Sequence, residues 1–386
     1  MPAWELIEGD ALGALRERAS AEFDSMVTDP PAGIAFMGKS WDTDKGGRDQ
    51  WITWLTGVMA ECHRVLKPGA HILVWALPRT SGWTQRAIED AGFQCRDIIT
   101  HLFGTGFPKS LDVSKAIDRK LGVERKVVGY DASRARPATP AAAKWDGYGT
   151  ALKPASEHWI LARKPLEGTV ASNVLTHGAG ALNIDGCRIE GEPWTWGTQT
   201  DIRGGGYNSR RPSEGDVFAR NVESHPGGRW PANVILSHSE TCTDSCADDC
   251  PVKMLDAQSG ISQSTQGKPR QGQSGAGWGM SATGAEYSDV GGASRFFYVA
   301  KASRAERNAG CGANDHPTVK PIGLMGWLCR LITPPGGMVL DPFSGSGSTG
   351  VGAIREGFRF FGIESDAHYV QIAQSRLDHA TRNRKE

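Results

Sequence analysis

The chain has 386 residues, enough for about two domains or one large domain carrying a long insertion. Lys+Arg 43 balances Asp+Glu 43, so no net field draws the whole molecule onto a polyanion, and any nucleic-acid surface has to be a local patch. No stretch approaches the ~18 apolar residues of a membrane span, the acidic amino-terminal segment lacks the apolar run of a secretory leader, and eight cysteines are too sparse for a secreted disulfide scaffold. A reducing cytoplasm of bacterial type, with no membrane partner, is the expected setting.

Short apolar runs bounded by turn residues predict buried, parallel strands at 4–8, 25–28, 71–76, 95–102 and 158–162, and again at 338–340 and 358–363. Helical periods fall between them. They cover 50–66, closed by Lys67-Pro-Gly, 80–91, closed by Gly92, and 323–332, closed by Pro334-Pro-Gly. Two more cover 349–356, closed by Gly357, and 367–382. Strand alternating with helix at this spacing predicts a doubly wound α/β sheet. Residues 166–294 break the pattern: they are rich in Gly, Ser, Asn, Arg and Trp, with frequent turn dipeptides. They read as an inserted, irregular recognition region that divides the sheet into parts 1–165 and 295–386. A second irregular stretch, rich in Ala, Pro and Arg, covers 131–151.

Two segments carry the chemistry. Phe23-Asp-Ser-Met-Val-Thr-Asp29-Pro30-Pro31 reads as a strand stopped by an acid and two prolines. An amino group on a base ring shares its lone pair with the ring and is a poor nucleophile. A carboxylate at Asp29 and the Pro30 carbonyl could each accept one of its N–H groups, pull the nitrogen toward tetrahedral geometry and aim its lone pair. Pro30 and Pro31 stiffen the corner that holds the carbonyl.

The second segment is Asp341-Pro342-Phe343-Ser344-Gly345-Ser346-Gly347, a strand end running into a glycine loop before a helix. Backbone N–H groups can approach a ligand closely there. No Lys follows the glycines as a phosphate loop requires, and although Gly345, Gly347 and Gly350 fit a dinucleotide spacing, glycine spacing alone is a weak signal. The next strand ends in Glu364, where an acid can take both ribose hydroxyls. An acid before the glycines favours a ligand with an ammonium over a pyrophosphate. A plain glycine-rich turn would explain the glycines but not two placed acids.

In this order, Asp29-Pro-Pro and the 341–347 loop resemble the beta class of amino DNA methyltransferases, which methylate adenine N6 or cytosine N4 with S-adenosylmethionine. Further matches are Glu8-Gly-Asp10, similar to the segment whose acid meets the cofactor's adenine, and His316-Pro-Thr318-Val-Lys320-Pro321, similar to the element lining the methionine pocket. Arg64-Val-Leu-Lys-Pro-Gly69 before a strand is also familiar from this fold. The resemblance covers roughly 1–165 and 295–380. It implies a Rossmann-like methyltransferase sheet in permuted order, a base flipped out of double-stranded DNA, and an origin in bacteria or phage. Asp rather than Ser before the prolines favours adenine over cytosine; a cytosine-N4 enzyme and a catalytically dead nucleic-acid-binding relative are the alternatives, with a nicotinamide oxidoreductase behind them. No Pro-Cys pair is present, which disfavours a cytosine-C5 enzyme. One departure matters: the family's aromatic residue after the second proline is Ala32 here, so Phe36 or Trp41 is expected to supply the ring that stacks on the base.

Two clusters remain. His238, Cys242, Cys246 and Cys250 match the ligand set of a structural zinc site. Their three-residue gaps lack the usual tight knuckle, so reduced cysteines in an acidic surface loop are the favoured expectation. Arg203, Arg210, Arg211 and Arg229, near Trp194, Trp196, Tyr207 and Trp230, are expected to contact DNA, and Lys109 to touch a phosphate near the cleft. The other reading of each is a solvated surface. A homodimer is expected by analogy with two-fold readers of palindromic sites.

Overall fold

The computed structural model describes residues 2–104, 106, 110–125, 136–191, 227–239, 241–243, 245–264, 287, 289–301 and 304–384. In chain order the first elements are β1 (Trp4–Glu8), α1 (Ala11–Arg16), β2 (Phe23–Thr28), α2 (Arg48–Val65), β3 (Leu66–Ala76), α3 (Ser81–Asp90) and β4 (Gln94–Leu102). Next come α4 (Val113–Lys120), α5 (Pro140–Ala143), β5 (Ser156–Arg163), α6 (Val170–His177), β6 (Val234–Ser237) and α7 (Pro251–Ser259). After the short strands β7 (Ser262–Gln263), β8 (Val290–Gly291) and β9 (Tyr298–Ala300) lie α8 (Arg304–Asn308), α9 (Ile322–Ile332) and β10 (Met338–Asp341). The chain closes with α10 (Ser348–Arg355), β11 (Arg359–Glu364) and α11 (Ala367–Arg382).

Among the described residues nine strands form one sheet in the order β1-β11-β10-β2-β3-β5-β4-β6-β9. The expectation of a doubly wound α/β sheet holds, with a correction: β5 runs antiparallel to β3, pairing Ala76 with His158 and Ile72 with Ala162. A fully buried apolar run looks the same in either direction, so its composition carried no sign of the reversal. A further difference lies at the far edge. Four residues, 234–237, from the stretch expected to be irregular form β6, which pairs in parallel with β4 and β9.

Apolar side chains on the two faces of the sheet build two cores. On one face Ile72, Val74, Leu340, Phe361 and Ile363 pack with Trp51, Leu55, Val58, Met59, Cys62 and Val65, which form a single stripe along α2. On the other, Leu73, Val339 and Phe360 meet α9, α10 and α11 through Leu324, Leu328, Val351 and Leu377. Each such side chain taken from water contributes about 1.5–3 kcal/mol. Helix α9 is apolar nearly all round, as a helix buried between others must be. It approaches α10 so closely that a Cβ at Gly352 would stand 2.7 Å from the Gly326 nitrogen. No helix among the described residues is long and apolar enough to cross a membrane.

Residues 103–156 form a separate compact unit. Within it the buried Asp118 carboxylate of α4 accepts from Arg125 Nε at 2.7 Å, Thr139 Oγ1 at 2.7 Å and the Ala138 N–H at 2.9 Å.

Candidate functional site

Parallel register brings the strand-end acids to one edge. Leu340 lies opposite Met26, Asp341 opposite Gly362 and Glu8 opposite Glu364, so Asp29, Asp341, Glu364 and Asp10 all arrive at the carboxyl ends of neighbouring strands. That edge is where doubly wound sheets bind ligands. A direct bond joins its two halves: Thr28 Oγ1, one residue before Asp29, donates to Asp341 Oδ1 at 2.6 Å.

Asp341 is buried, and also takes the Phe343 N–H at 3.1 Å and the Thr349 hydroxyl. Burial pushes its carboxyl up to about 7. Beyond it the chain turns through Pro342 and Phe343, whose ring packs against Trp54 at 5.8 Å. The loop then relies on missing side chains. Gly345 has φ +50°, and a Cβ there would meet the His316 ring at 2.9 Å; Gly347 has φ +79°, with Ala373 3.1 Å from its absent Cβ. The close approach of His316 to Gly345 sets the start of the 316–321 element against the glycine loop. Beneath the loop the buried Arg376 of α11 donates to Ser346 Oγ at 3.1 Å and Ser348 Oγ at 3.2 Å.

On the far side of the loop, Glu364 uses one oxygen for the Gly345 N–H and the other for the Asp366 N–H, both at 2.8 Å. The Ser365 backbone also donates to this carboxylate, which keeps acceptor capacity for a further donor. Asp10 caps α1 through the Gly13 N–H at 2.9 Å and is otherwise exposed. Thr318 is half-buried and donates its N–H to His316 Nδ1 at 3.3 Å. Ser344 Oγ is buried without a partner. An orphan hydroxyl, two acids and a Cβ-free backbone fit a ligand with an ammonium at one end and a diol at the other.

The Asp29 corner has company that sequence reading missed. Lys320, expected to serve the cofactor, places its Nζ 2.8 Å from Asp29 Oδ2, 3.9 Å from Glu157 Oε1 and 4.4 Å from the centre of the Trp75 ring. His101 Nδ1 lies 3.4 Å from Glu157 Oε2, and His101 Nε2 lies 2.7 Å from Ser237 Oγ. A polar line therefore runs through the sheet edge from Asp29 to Ser237. Burial raises the Asp29 carboxyl against the pull of the Lys320 ammonium. Burial opposes charge on Glu157 as well, yet Lys320 and His101 bring it down to about 2. Glu157 had a signal only in hindsight: an acid at the start of an antiparallel strand lands at the carboxyl edge of its neighbours.

The loop after Pro31 is held by Asp42, which is 1% exposed. Its Oδ1 accepts the Gly33 N–H at 2.9 Å and its Oδ2 the Phe36 N–H at 2.8 Å. Gly33, at φ +71°, packs so closely on Trp51 that a Cβ would stand 2.7 Å from the indole. Phe36 thus sits on a clasped turn, not a free loop. Asp42→Ala strips both acceptors, at about 1–3 kcal/mol for each stranded donor. Turnover is expected to fall about 10- to 100-fold by misplacing the corner, with ligand affinity at the glycine loop unchanged. Parallel kinetics and calorimetric titration check this.

The three-residue gaps that argued against a metal close up in space. His238, Cys242, Cys246 and Cys250 bring their ligand atoms within 4.8 Å of one another, a cluster that could hold a zinc ion. Arg229 pairs with Asp289 Oδ1 at 2.5 Å and covers the Tyr287 ring at 4.4 Å, a placement that anchors its own neighbourhood. Lys109, Arg203, Arg210 and Arg211 lie outside the described residues.

A glycine loop between two strand-end acids, with a third acid on a proline corner beside it, defines a Rossmann-like sheet of the methyltransferase type. A family model for DNA methylases matches residues 23–111 and 249–375, more than half of the chain, and the chain belongs to the N6/N4 DNA methylase family. Among curated relatives, a type II methyltransferase, M2.DpnII of Streptococcus pneumoniae, is 47% identical over 66 residues, 17% of this chain and 25% of that protein. The DNA adenine methyltransferase YhdJ of Escherichia coli is 43% identical over 67 residues, 17% of this chain and 23% of that protein. The match thus spans about a quarter of each relative's length. Of solved structures, PvuII DNA methyltransferase (cytosine-N4-specific) aligns at TM-score 0.46 and 14% identity, covering 97% of this chain and 88% of that one. The M1.HpyAVI–SAM complex aligns at TM-score 0.42 and 14% identity, covering 97% and 99%.

Proposed function

We propose that this chain transfers a methyl group from S-adenosylmethionine to the exocyclic N6 of adenine, in a base turned out of double-stranded DNA. The observation that supports the reading is the 2.6 Å bond to Asp341 from Thr28, the residue next to Asp29, which joins the two acid-bearing strand ends. S-adenosylmethionine supplies an electrophilic methyl on a sulfonium. Asp341 would hold its ammonium, Glu364 the ribose hydroxyls and Asp10 the adenine edge, with the Gly345–Gly347 backbone and Ser344 around the methionine.

Lys320 takes Asp29 Oδ2, so Oδ1 is the oxygen left for one N–H of the target amine, and the Pro30 carbonyl takes the other. Held this way, the amine would aim its lone pair at the methyl that the cofactor would supply, with the C–S bonding electrons left on sulfur. The nitrogen then sheds one proton, and Asp29, raised by burial, is the base beside it. Phe36, on its clasped turn, is the stacking ring in place of the residue Ala32 does not supply. Adenine is favoured by Asp at position 29 and by the local match to a DNA adenine methyltransferase. The 166–294 segment is the proposed recognition region. Digestion of DNA methylated by the purified chain, with the nucleosides weighed by mass spectrometry, is expected to yield N6-methyladenine. N4-methylcytosine would replace the base assignment, and no modified base at all would remove the enzyme.

A further inference from the structure

We infer that His238, Cys242, Cys246 and Cys250 form a structural zinc site that fastens the start of α7 to the end of β6. The inference rests on donor geometry alone and stands apart from the methyl-transfer reading. Zn–S bonds of about 2.3 Å and Zn–N bonds of about 2.0–2.1 Å, at tetrahedral angles, put each sulfur about 3.6 Å from the nitrogen. Cys246 Sγ lies 3.4 Å and Cys250 Sγ 3.5 Å from His238 Nδ1. The whole quartet is confined within 4.8 Å. All three cysteines are free thiols, so no disulfide explains their convergence. Three thiolates and an imidazole in a closed set, with no carboxylate among the donors, select zinc over the hard cations.

The surroundings are those of a built site. The Ala247 N–H points at Cys242 Sγ, 3.4 Å away, a bond that steadies a thiolate. Cys250 caps α7 directly before Pro251, and His238 directly follows the last residue of β6. Ligands thus come from a strand end, the following loop and a helix start, three pieces that need a common anchor. Apolar packing there is thin: among the described residues the local cluster buries Leu236, Cys250 and Val252, with partly buried side chains such as Leu102 and Val299 around them. A core that small does not hold a fold by itself, and metal binding is the usual substitute. The family match skips 112–248, so three of the four ligands lie outside it. The anchor also bears on the reaction edge, because Ser237, next to His238, is the end of the polar line that runs through His101 and Glu157 to Lys320 and Asp29.

The test uses the full chain purified without chelator. Elemental analysis is expected to give one zinc per chain, and replacement by cobalt(II) the intense visible bands of tetrahedral thiolate coordination. Cys242→Ser with Cys246→Ser should lower the zinc content at least about tenfold, while Cys311→Ser, outside the quartet, should leave it unchanged. Should the double variant fail to fold, mercurial titration of the wild-type chain gives the second measurement, with zinc released in step with the three ligand thiols. A wild-type chain that is folded yet free of metal, or one whose zinc survives loss of both cysteines, would overturn the site.

Discussion

Asp29→Ala is expected to lower methyl transfer by about 10³-fold, the scale seen when one preorganised polar contact to a reacting group is removed, while S-adenosylmethionine affinity stays within about twofold. In the proposed mechanism the carboxylate acts only on the amine and strengthens its hold as the nitrogen becomes tetrahedral, so its loss should fall on turnover and not on the cofactor. The fold should tolerate the change, because the Lys320 ammonium keeps Glu157 as a partner. Lys320→Met makes a different and diagnostic variant. It leaves Asp29 and Glu157 as two carboxylates in one poorly hydrated place, and both the desolvation and the like charge raise Asp29 further. Activity requires ionised Asp29 and is lost as pH falls through its pKa, so this variant should move the acid limb of the rate profile to higher pH. Initial rates across pH for both variants, with calorimetry for the cofactor, test the pair. An Asp29→Ala chain that keeps most of its turnover would remove Asp29 from the reaction.

Much of this arrangement was legible because the strand ends are marked chemically. A buried run that stops at Asp29-Pro-Pro, another at Asp341-Pro-Phe and a third at Glu364 put acids where parallel strands deliver them to a common edge. The glycines were legible for a related reason, since Gly345 and Gly347 occupy positive φ where a side chain would strike His316 or Ala373. The parts that escaped are those made by distance along the chain. Lys320 meets Asp29 across 291 positions, and nothing local says that an ammonium in a His-Pro-Thr-Val-Lys segment will reach that carboxylate. Glu157 and His101 were hidden behind the direction of β5. Strands β6 and β9, of four and three residues, are too short to show any period, and they exist because β4 offers β6 an edge and β6 offers β9 the next one. Nothing in the sequence around Asp42 marks it as the acceptor of the Gly33 and Phe36 amides.

Cofactor binding should release a proton below neutral pH and cease to do so above it. The cause is Asp341, which burial holds at about 7 although three donors, from Thr28, Thr349 and Phe343, favour its charged form. In the free protein at acid pH this carboxyl is neutral. An ammonium seated beside it binds the carboxylate far better than the acid, so the proton must leave for the cofactor to bind tightly. The sign for folding runs the opposite way. A folded-state value above the unfolded one means that the ligand-free fold binds more protons than the open chain between about pH 4 and 7, so this group lowers stability as pH rises through that window. The bound ammonium reverses the penalty by supplying the charge that burial withholds. Affinity for S-adenosylmethionine is therefore expected to weaken by up to about tenfold for each pH unit below 7 and to level off above it. Titration calorimetry in buffers of different ionisation enthalpy should find close to one proton released per cofactor at about pH 6, and few at about pH 8. Asp341→Asn removes the titrating group, so its profile should be flat. Its affinity at high pH should be about 10- to 100-fold lower, as loss of a charge-assisted hydrogen bond implies. A wild-type affinity that does not change with pH would mean that the ammonium is held elsewhere, and the glycine loop would then need another acid to explain its ligand.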